Sequence, residues 1–222
     1  MIKGDVAKHL AALEDEFRGR LVNYTRAVDH AVARLKAGSI IDTVVGIGDI
    51  FPDFILPDSR GRLWRLETAL AEGPVVLAFH RGYWCDFCHL NMQTLAEISP
   101  NVRAMGCQIV AISPQNASRS AKLAAETGAD FPILCDIGLG VATGLGLSYI
   151  VGDDLQRELA LLQVDLDAEN CSYGWLMPIT ATFVINTDGR IAARHLDPDP
   201  RSRMDRDAIL QAASNFQSAA RI

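Results

Sequence analysis

The run Val75-Val-Leu-Ala-Phe-His80 is almost wholly apolar, and it leads directly into Arg81-Gly-Tyr-Trp84 and then Cys85-Asp-Phe-Cys88. An apolar run of this length reads as a strand buried on both faces, which demands a sheet covered by a layer on each side. The two cysteines open a helix: from Leu90 to Met105, residues Met92, Leu95, Ile98, Val102 and Met105 share one side, and Pro100 is expected to kink it. A thiol at a helix N-terminus meets unpaired backbone N–H groups and the positive end of the macrodipole. Both favour the thiolate, the nucleophilic form. Two sulfurs at this spacing can also close a disulfide, so the segment suits two-electron thiol chemistry.

Strands and helices alternate around it. Phe54 to Leu66 reads as a hairpin about Ser59-Arg60-Gly61, and Cys107–Ser113 as a second buried strand followed by a helix from Ala117 to Thr127. A third strand is predicted at Pro132–Cys135, then a Gly-rich helical stretch to about Leu147 and a helix at Leu155–Leu162. Ala181–Asn186 and Arg190–His195 form a hairpin over Thr187-Asp188-Gly189, and Met204–Phe216 closes the chain with a helix. This order describes an α/β fold, a mixed central sheet flanked by helices.

Residues 1–38 carry a different signal. Val6, Leu10, Leu13, Phe17, Leu21, Tyr24, Val28, Val32 and Leu35 recur every three or four positions, about 3.6 on average, the period of an α-helix. Gly19 leaves open one helix or two, and Lys36-Ala-Gly38 ends the pattern. A single apolar stripe must pack on this domain or on a second subunit; a homodimer through the N-terminal helix is expected. The domains are then a helical extension, 1–38, and a main domain, 39–222, with an insertion at about 148–178.

Composition excludes several functions. With a net charge of −6 the chain has no basic face for nucleic acid. No run approaches the roughly 18 apolar residues of a membrane span, and the charges scattered through Met1–His9 do not suit a secretory signal. Five cysteines, an odd number in an acidic chain of 222 residues, point to a reducing, cytoplasmic setting in which a Cys pair is catalytic or metal-binding.

Four segments carry a resemblance to the peroxiredoxins of the alkyl hydroperoxide reductase/thiol-specific antioxidant type, within the thioredoxin-like superfamily. They are Gly48 to Asp58, Phe79 to Cys88, Cys107 to Pro114 and Ala181 to Gly189, and the likeness extends over about 47–216. The resemblance implies a thioredoxin-like fold and a thiol peroxidase acting on hydrogen peroxide or alkyl hydroperoxides. It implies no cofactor and recycling by thioredoxin or a similar dithiol. The family motif Pro-x-x-x-Thr-x-x-Cys falls on Arg81, Cys85 and Cys88, so Arg replaces Pro and Cys replaces Thr. Thioredoxins read Trp-Cys-x-x-Cys, which falls on Trp84, Cys85 and Cys88. The Arg that peroxiredoxins carry before the Ala-Thr-Phe strand is absent, since none lies between Arg157 and Arg190, and Thr180 stands in its place. That departure implies a slow peroxidase.

On this reading Cys88 attacks peroxide, Cys85 condenses onto its sulfenate, and Arg81 lowers the thiol pKa and binds peroxide oxygens. Trp84, Tyr83 and Thr180 line the substrate site. The competing reading of Arg81 is a surface residue paired with Asp86. A second function is a thiol–disulfide oxidoreductase in which Cys85 attacks first; a third is a non-catalytic member whose N-terminal helix binds a partner. Cys107 and Cys135 read as core, Cys171 as a candidate third redox partner, and the role of His89 is open. Cys85-x-x-Cys88-His89 also spells a haem attachment pattern, rejected because it follows a buried strand. The remaining cysteines offer no second ligand pair for zinc, and the glycines at 138–144 do not keep a dinucleotide spacing.

Overall fold

The chain begins with two helices, α1 (Val6–Arg20) and α2 (Val22–Ala37), in a computed structural model that describes residues 6–172 and 174–219. Residues 1–5 and 220–222, the ends of the two expected domains, and Tyr173 in the expected insertion lie outside the described residues. A short hairpin follows, β1 (Ile55–Pro57) and β2 (Leu63–Arg65), then α3 (Leu66–Glu72) and β3 (Val75–Phe79). Next come α4 (Asp86–Ala104), β4 (Gln108–Ser113), α5 (Ala117–Thr127), β5 (Ile133–Cys135) and α6 (Gly140–Gly144). The insertion holds β6 (Ser148–Ile150), α7 (Asp153–Leu161), α8 (Leu166–Asn170) and β7 (Leu176–Pro178). The chain closes with β8 (Ala181–Ile185), β9 (Ile191–Leu196) and α9 (Arg206–Ala219).

The central sheet has the order β5-β4-β3-β8-β9, with β3, β4 and β5 parallel and β8 and β9 antiparallel to their neighbours. All five residues of β3 are buried, as its apolar run requires. Leu77 and Phe79 face a layer built from Phe51, Leu66, Leu139 and Phe183. Val76 and Ala78 face α4 and α9 through Leu95, Ile98, Ile209 and Ala213. Each fully buried Leu, Ile or Phe contributes roughly 1.5–3 kcal/mol.

The N-terminal stripe becomes two helices broken at Leu21 (φ −123°, ψ 53°), two residues beyond Gly19. Both pack on their own chain. Leu10, Leu13 and Phe17 of α1 lie over Cys85, Phe87 and Cys88. Tyr24, Val28 and Val32 of α2 join Val151, Leu155 and Leu159 of the insertion. The stripe thus packs on its own domain and does not by itself call for a second subunit. Arg201 ties both helices down through ion pairs with Glu14 and Asp29.

The insertion is more ordered than its sequence suggests. β6 and β7 pair antiparallel, and Asp165 caps α8 by accepting from the N–H groups of Asp167 and Ala168. No cis peptide occurs among the described residues, so Met177–Pro178 is trans.

Candidate active site

Topology brings three segments to one end of the sheet. The loop 80–85 leaves the C-terminal end of β3, and Phe79 pairs with Ala181, so Thr180 enters β8 beside it. Leu196, at the end of β9, also pairs with Ala181, so the segment after β9 returns over the same edge. The dithiol sits where these meet.

Cys85 is the N-cap residue of α4; its carbonyl accepts from the N–H of Cys88 at 2.8 Å and of His89 at 3.1 Å. This places Cys88 in the first turn, at the positive end of the helix. The two sulfurs lie 2.6 Å apart, within bonding reach. Cys85 is 4% exposed and Cys88 is fully buried. Their surroundings are polar as well as apolar. Arg203 Nη2 donates to Cys88 Sγ at 3.5 Å, and its Nη1 donates to Thr180 Oγ1 at 3.0 Å. Arg81 is buried, with its guanidinium 4.7 Å above the Trp84 ring and no carboxylate in ion-pair range among the described residues.

These neighbours split the thiols. Burial pushes Cys88 up, but the hydrogen bond with Cys85, the neighbouring His80 and the charge of Arg203 prevail and hold it well below the ordinary thiol range. Burial and the same shared proton hold Cys85 well above that range. These surroundings favour ionisation at Cys88 and the protonated form at Cys85. Burial also opposes the charge of Arg81, yet the facing Tyr24, Cys85, Tyr149 and Cys88 groups leave its pKa raised. Several buried polar atoms around the pair have no partner: the donors Arg203 Nε, Arg81 Nε and Nη2 and Trp84 Nε1, and the two ring nitrogens of His80. Unpaired buried donors are uncommon in native folds and mark a place for an acceptor.

The sequence-derived residues separate into two groups. Cys85, Cys88, Arg81 and Trp84 converge, and Thr180 reaches the site only by holding Arg203. Tyr83 turns away: its hydroxyl donates to Glu126 at 2.9 Å and its ring faces Lys122, Arg119 and His89. It anchors the loop instead. Its N–H donates to Gln115 Oε1, His89 Nε2 donates to its carbonyl at 2.6 Å, and Gln115 Nε2 donates to Glu169 of the insertion. Gly82 is required here, since its φ is 121° and a Cβ would come within 2.7 Å of Gln115 Cδ. Arg81 is not the surface partner of Asp86; that carboxylate stays at the surface, its pKa raised by partial burial and by Cys88 against the opposing His89. Cys107 and Cys135 are buried, the latter against Ser120. Cys171 is exposed at the end of α8, with Asn116 Nδ2 and Ala168 O each 4.0 Å from its sulfur.

Two residues escaped the sequence reading, Arg203 and His80. His80 directly follows the buried strand, and that position was the available signal. Arg203 lies beyond the hairpin, and nothing local marked it. Two cavities adjoin the site. One, about 280 Å³, lies between Ala7, Leu10 and Glu14 of α1 and residues 201–205, with Arg203 in its wall. The other, about 190 Å³, is a groove at the α1–α2 junction that reaches Cys85, with apolar walls and the Asp86 carboxylate in its lining.

Comparison with known proteins bears on the family and the fold. The AhpC/TSA family model matches residues 47–194. A Mycobacterium tuberculosis protein provisionally named a peroxiredoxin is 30% identical over 145 residues, which is 65% of this chain and 80% of its own. The thiol-disulfide oxidoreductase ResA of Geobacillus kaustophilus is 35% identical over 95 residues, 42% of this chain and 53% of its own. Among solved structures, peroxidoxin BcpB from Mycobacterium tuberculosis superposes with a TM-score of 0.59 at 26% identity, covering 79% of this chain and 98% of that one. The α1–α2 pair lies outside the family match.

Proposed function

This chain belongs to the AhpC/TSA family, and from that premise we propose that it is a thiol peroxidase for hydrogen peroxide or alkyl hydroperoxides. The observation that carries the reading is the geometry of the dithiol: Cys88 Sγ, in the first turn of α4, lies 2.6 Å from Cys85 Sγ and 3.5 Å from Arg203 Nη2, an arrangement that favours ionisation at Cys88. The Cys88 thiolate attacks one peroxide oxygen. The O–O bond breaks, its electron pair leaves with the second oxygen, and that oxygen departs as water or alcohol after taking a proton. The Arg203 donors face the developing oxyanion. Cys85 then attacks the Cys88 sulfenate, the S–O bond breaks, and water leaves as the disulfide forms. A thioredoxin-type dithiol returns two electrons. Arg81, on the Trp84 side, compensates the thiolate within the low-dielectric site. The cysteine content fits a reducing, cytoplasmic setting.

The likeness to ResA and the Trp84-Cys85-x-x-Cys88 spacing favour a second reading, a thiol–disulfide oxidoreductase acting on protein disulfides. The elevated Cys85 weighs against it, because that chemistry needs Cys85 as the first nucleophile. Mixing the reduced protein with peroxide separates the two. The peroxidase forms one Cys85–Cys88 disulfide per peroxide consumed. Reduction of a disulfide-bonded protein substrate without peroxide loss supports the second reading and overturns the first.

A further inference from the structure

We propose that α1 is a hinged lid: its apolar face seals Cys88, Glu14 latches it to Arg201, and an oxidant touches the sulfur only when the helix swings about Leu21 away from α4. The proposal rests on the peroxidase reading only for the identity of what enters.

Cys88 is fully buried, and neither adjoining cavity has it in its lining. Chemistry at this sulfur therefore needs part of its cover to move. The cover is Leu10, Leu13 and Phe17, with the Phe17 ring edge-on to Phe87 at 5.5 Å. This helix is weakly anchored. Among its described residues only Leu10 is buried, whereas α2 buries seven, Tyr24, Val28 and Val32 among them. The 280 Å³ cavity lies under the first half of α1, between Ala7, Leu10 and Ala11 and residues 201–205, so close packing stops there. At the other end the helix breaks at Leu21 (φ −123°, ψ 53°), and a Cβ at Gly19 would meet nothing within 4 Å. That is a hinge with room to turn.

The latch is ionic and loose. Glu14 lies 3.3 Å from Arg201 Nη1, which makes no hydrogen bond, and 2.7 Å from Arg18 Nη2 on its own helix. Arg18 also reaches Asp29 of α2, at 3.1 Å. Partly exposed pairs of this kind are weak enough to open and close locally. What stays behind is held without α1. Arg201 keeps Asp29 at 2.7 Å and Asp199 at 2.8 Å, and Arg203 keeps Thr180 and the Ser202 carbonyl. The opened site thus retains the guanidinium that faces Cys88.

The test reads access, using reduced full-length protein and no peroxide. N-ethylmaleimide and the bulkier fluorescein maleimide are added separately, and the labelling rate of each cysteine is followed by peptide mass. Buried Cys107 and Cys135 report global unfolding, and exposed Cys171 reports the reagent. Glu14→Gln should speed labelling of Cys88 by about threefold, and Leu10→Ala by at least about tenfold, with both reagents alike. Cys107, Cys135 and Cys171 should keep their wild-type rates. Amide exchange along α1 should quicken in step, with α2 unchanged. Unaltered labelling of Cys88 in either variant, or acceleration of all the buried cysteines together, overturns the lid. A gain with N-ethylmaleimide alone in Leu10→Ala also overturns it, since that marks a static hole over the sulfur. A chain that passes this test yet consumes no peroxide loses the peroxidase reading alone.

Discussion

Arg203 reaches Cys88 from 115 residues along the chain, setting Nη2 3.5 Å from Sγ while Thr180 accepts from Nη1. The Arg that peroxiredoxins hold ahead of the Ala-Thr-Phe strand is missing here, and Thr180 in its place fixes a guanidinium delivered from the far side of the sheet edge. A guanidinium from another segment thus faces Cys88 where the family's own Arg is missing.

Removal of Arg203 is the direct test of that substitution. Arg203→Met should slow Cys88 oxidation by about 10²–10³-fold, the range for losing one donor to a developing anion, and should raise the Cys88 pKa. Thr180→Val, which loses only the tether, should slow it by about fivefold, the equivalent of roughly 1 kcal/mol. Stopped-flow peroxide loss and thiolate absorbance read both effects. Oxidation of Arg203→Met at the wild-type rate would take Arg203 out of the site.

Stability of the reduced protein should carry the mark of the split dithiol. Cys88 is held well below the ordinary value of about 9, so between its folded pKa and 9 the unfolded chain binds the extra proton. Stability therefore rises with pH across that window; the contribution is complete above 9 and is lost as pH falls through the folded value. Cys85, held above 9, acts in reverse: it remains protonated in the fold when the unfolded thiol ionises, so stability falls as pH rises beyond 9. Urea midpoints should peak near pH 9, and Cys88→Ser should lose the rising limb. The same limb in that variant would contradict the assignment.

Arg81 should be a liability once its anion is gone. In a Cys88→Ser background, Arg81→Met is expected to raise stability by about 1–4 kcal/mol, the scale seen when buried charge gives way to an apolar isostere. In the reduced wild-type background the gain should shrink, because the substitution also strips the thiolate of a partner. Denaturant midpoints of the four proteins decide it, and equal destabilisation in both backgrounds would show that Arg81 acts through packing alone.

Local features of this fold were legible in the sequence, and features made by distant segments were not. The buried strand at Val75, the hairpin over Thr187-Asp188-Gly189 and the dithiol at a helix start each follow from neighbouring residues, and the structure reproduces them. The stripe from Val6 to Leu35 showed that a face had to be covered, but not that Cys85 and the insertion would cover it. The β6–β7 pairing escaped notice because its strands are three residues long and Ile150 is 69% exposed, which hides the alternation of a half-buried strand. Tyr83 sits beside Trp84 in sequence yet points the opposite way, drawn off by Glu126, Lys122 and Arg119. Arg203 was beyond reach for the same reason, since only the antiparallel pairing of β8 and β9 carries it to Cys88.

Rapid mixing of reduced Cys85→Ser and Cys88→Ser with hydrogen peroxide tests the account most directly. Cys85→Ser should consume one equivalent per chain and stop with a sulfenate on Cys88, while Cys88→Ser should consume none on that timescale. Peroxide loss by Cys88→Ser at the wild-type rate, or inert Cys85→Ser, would show that the buried thiolate is not the attacking group.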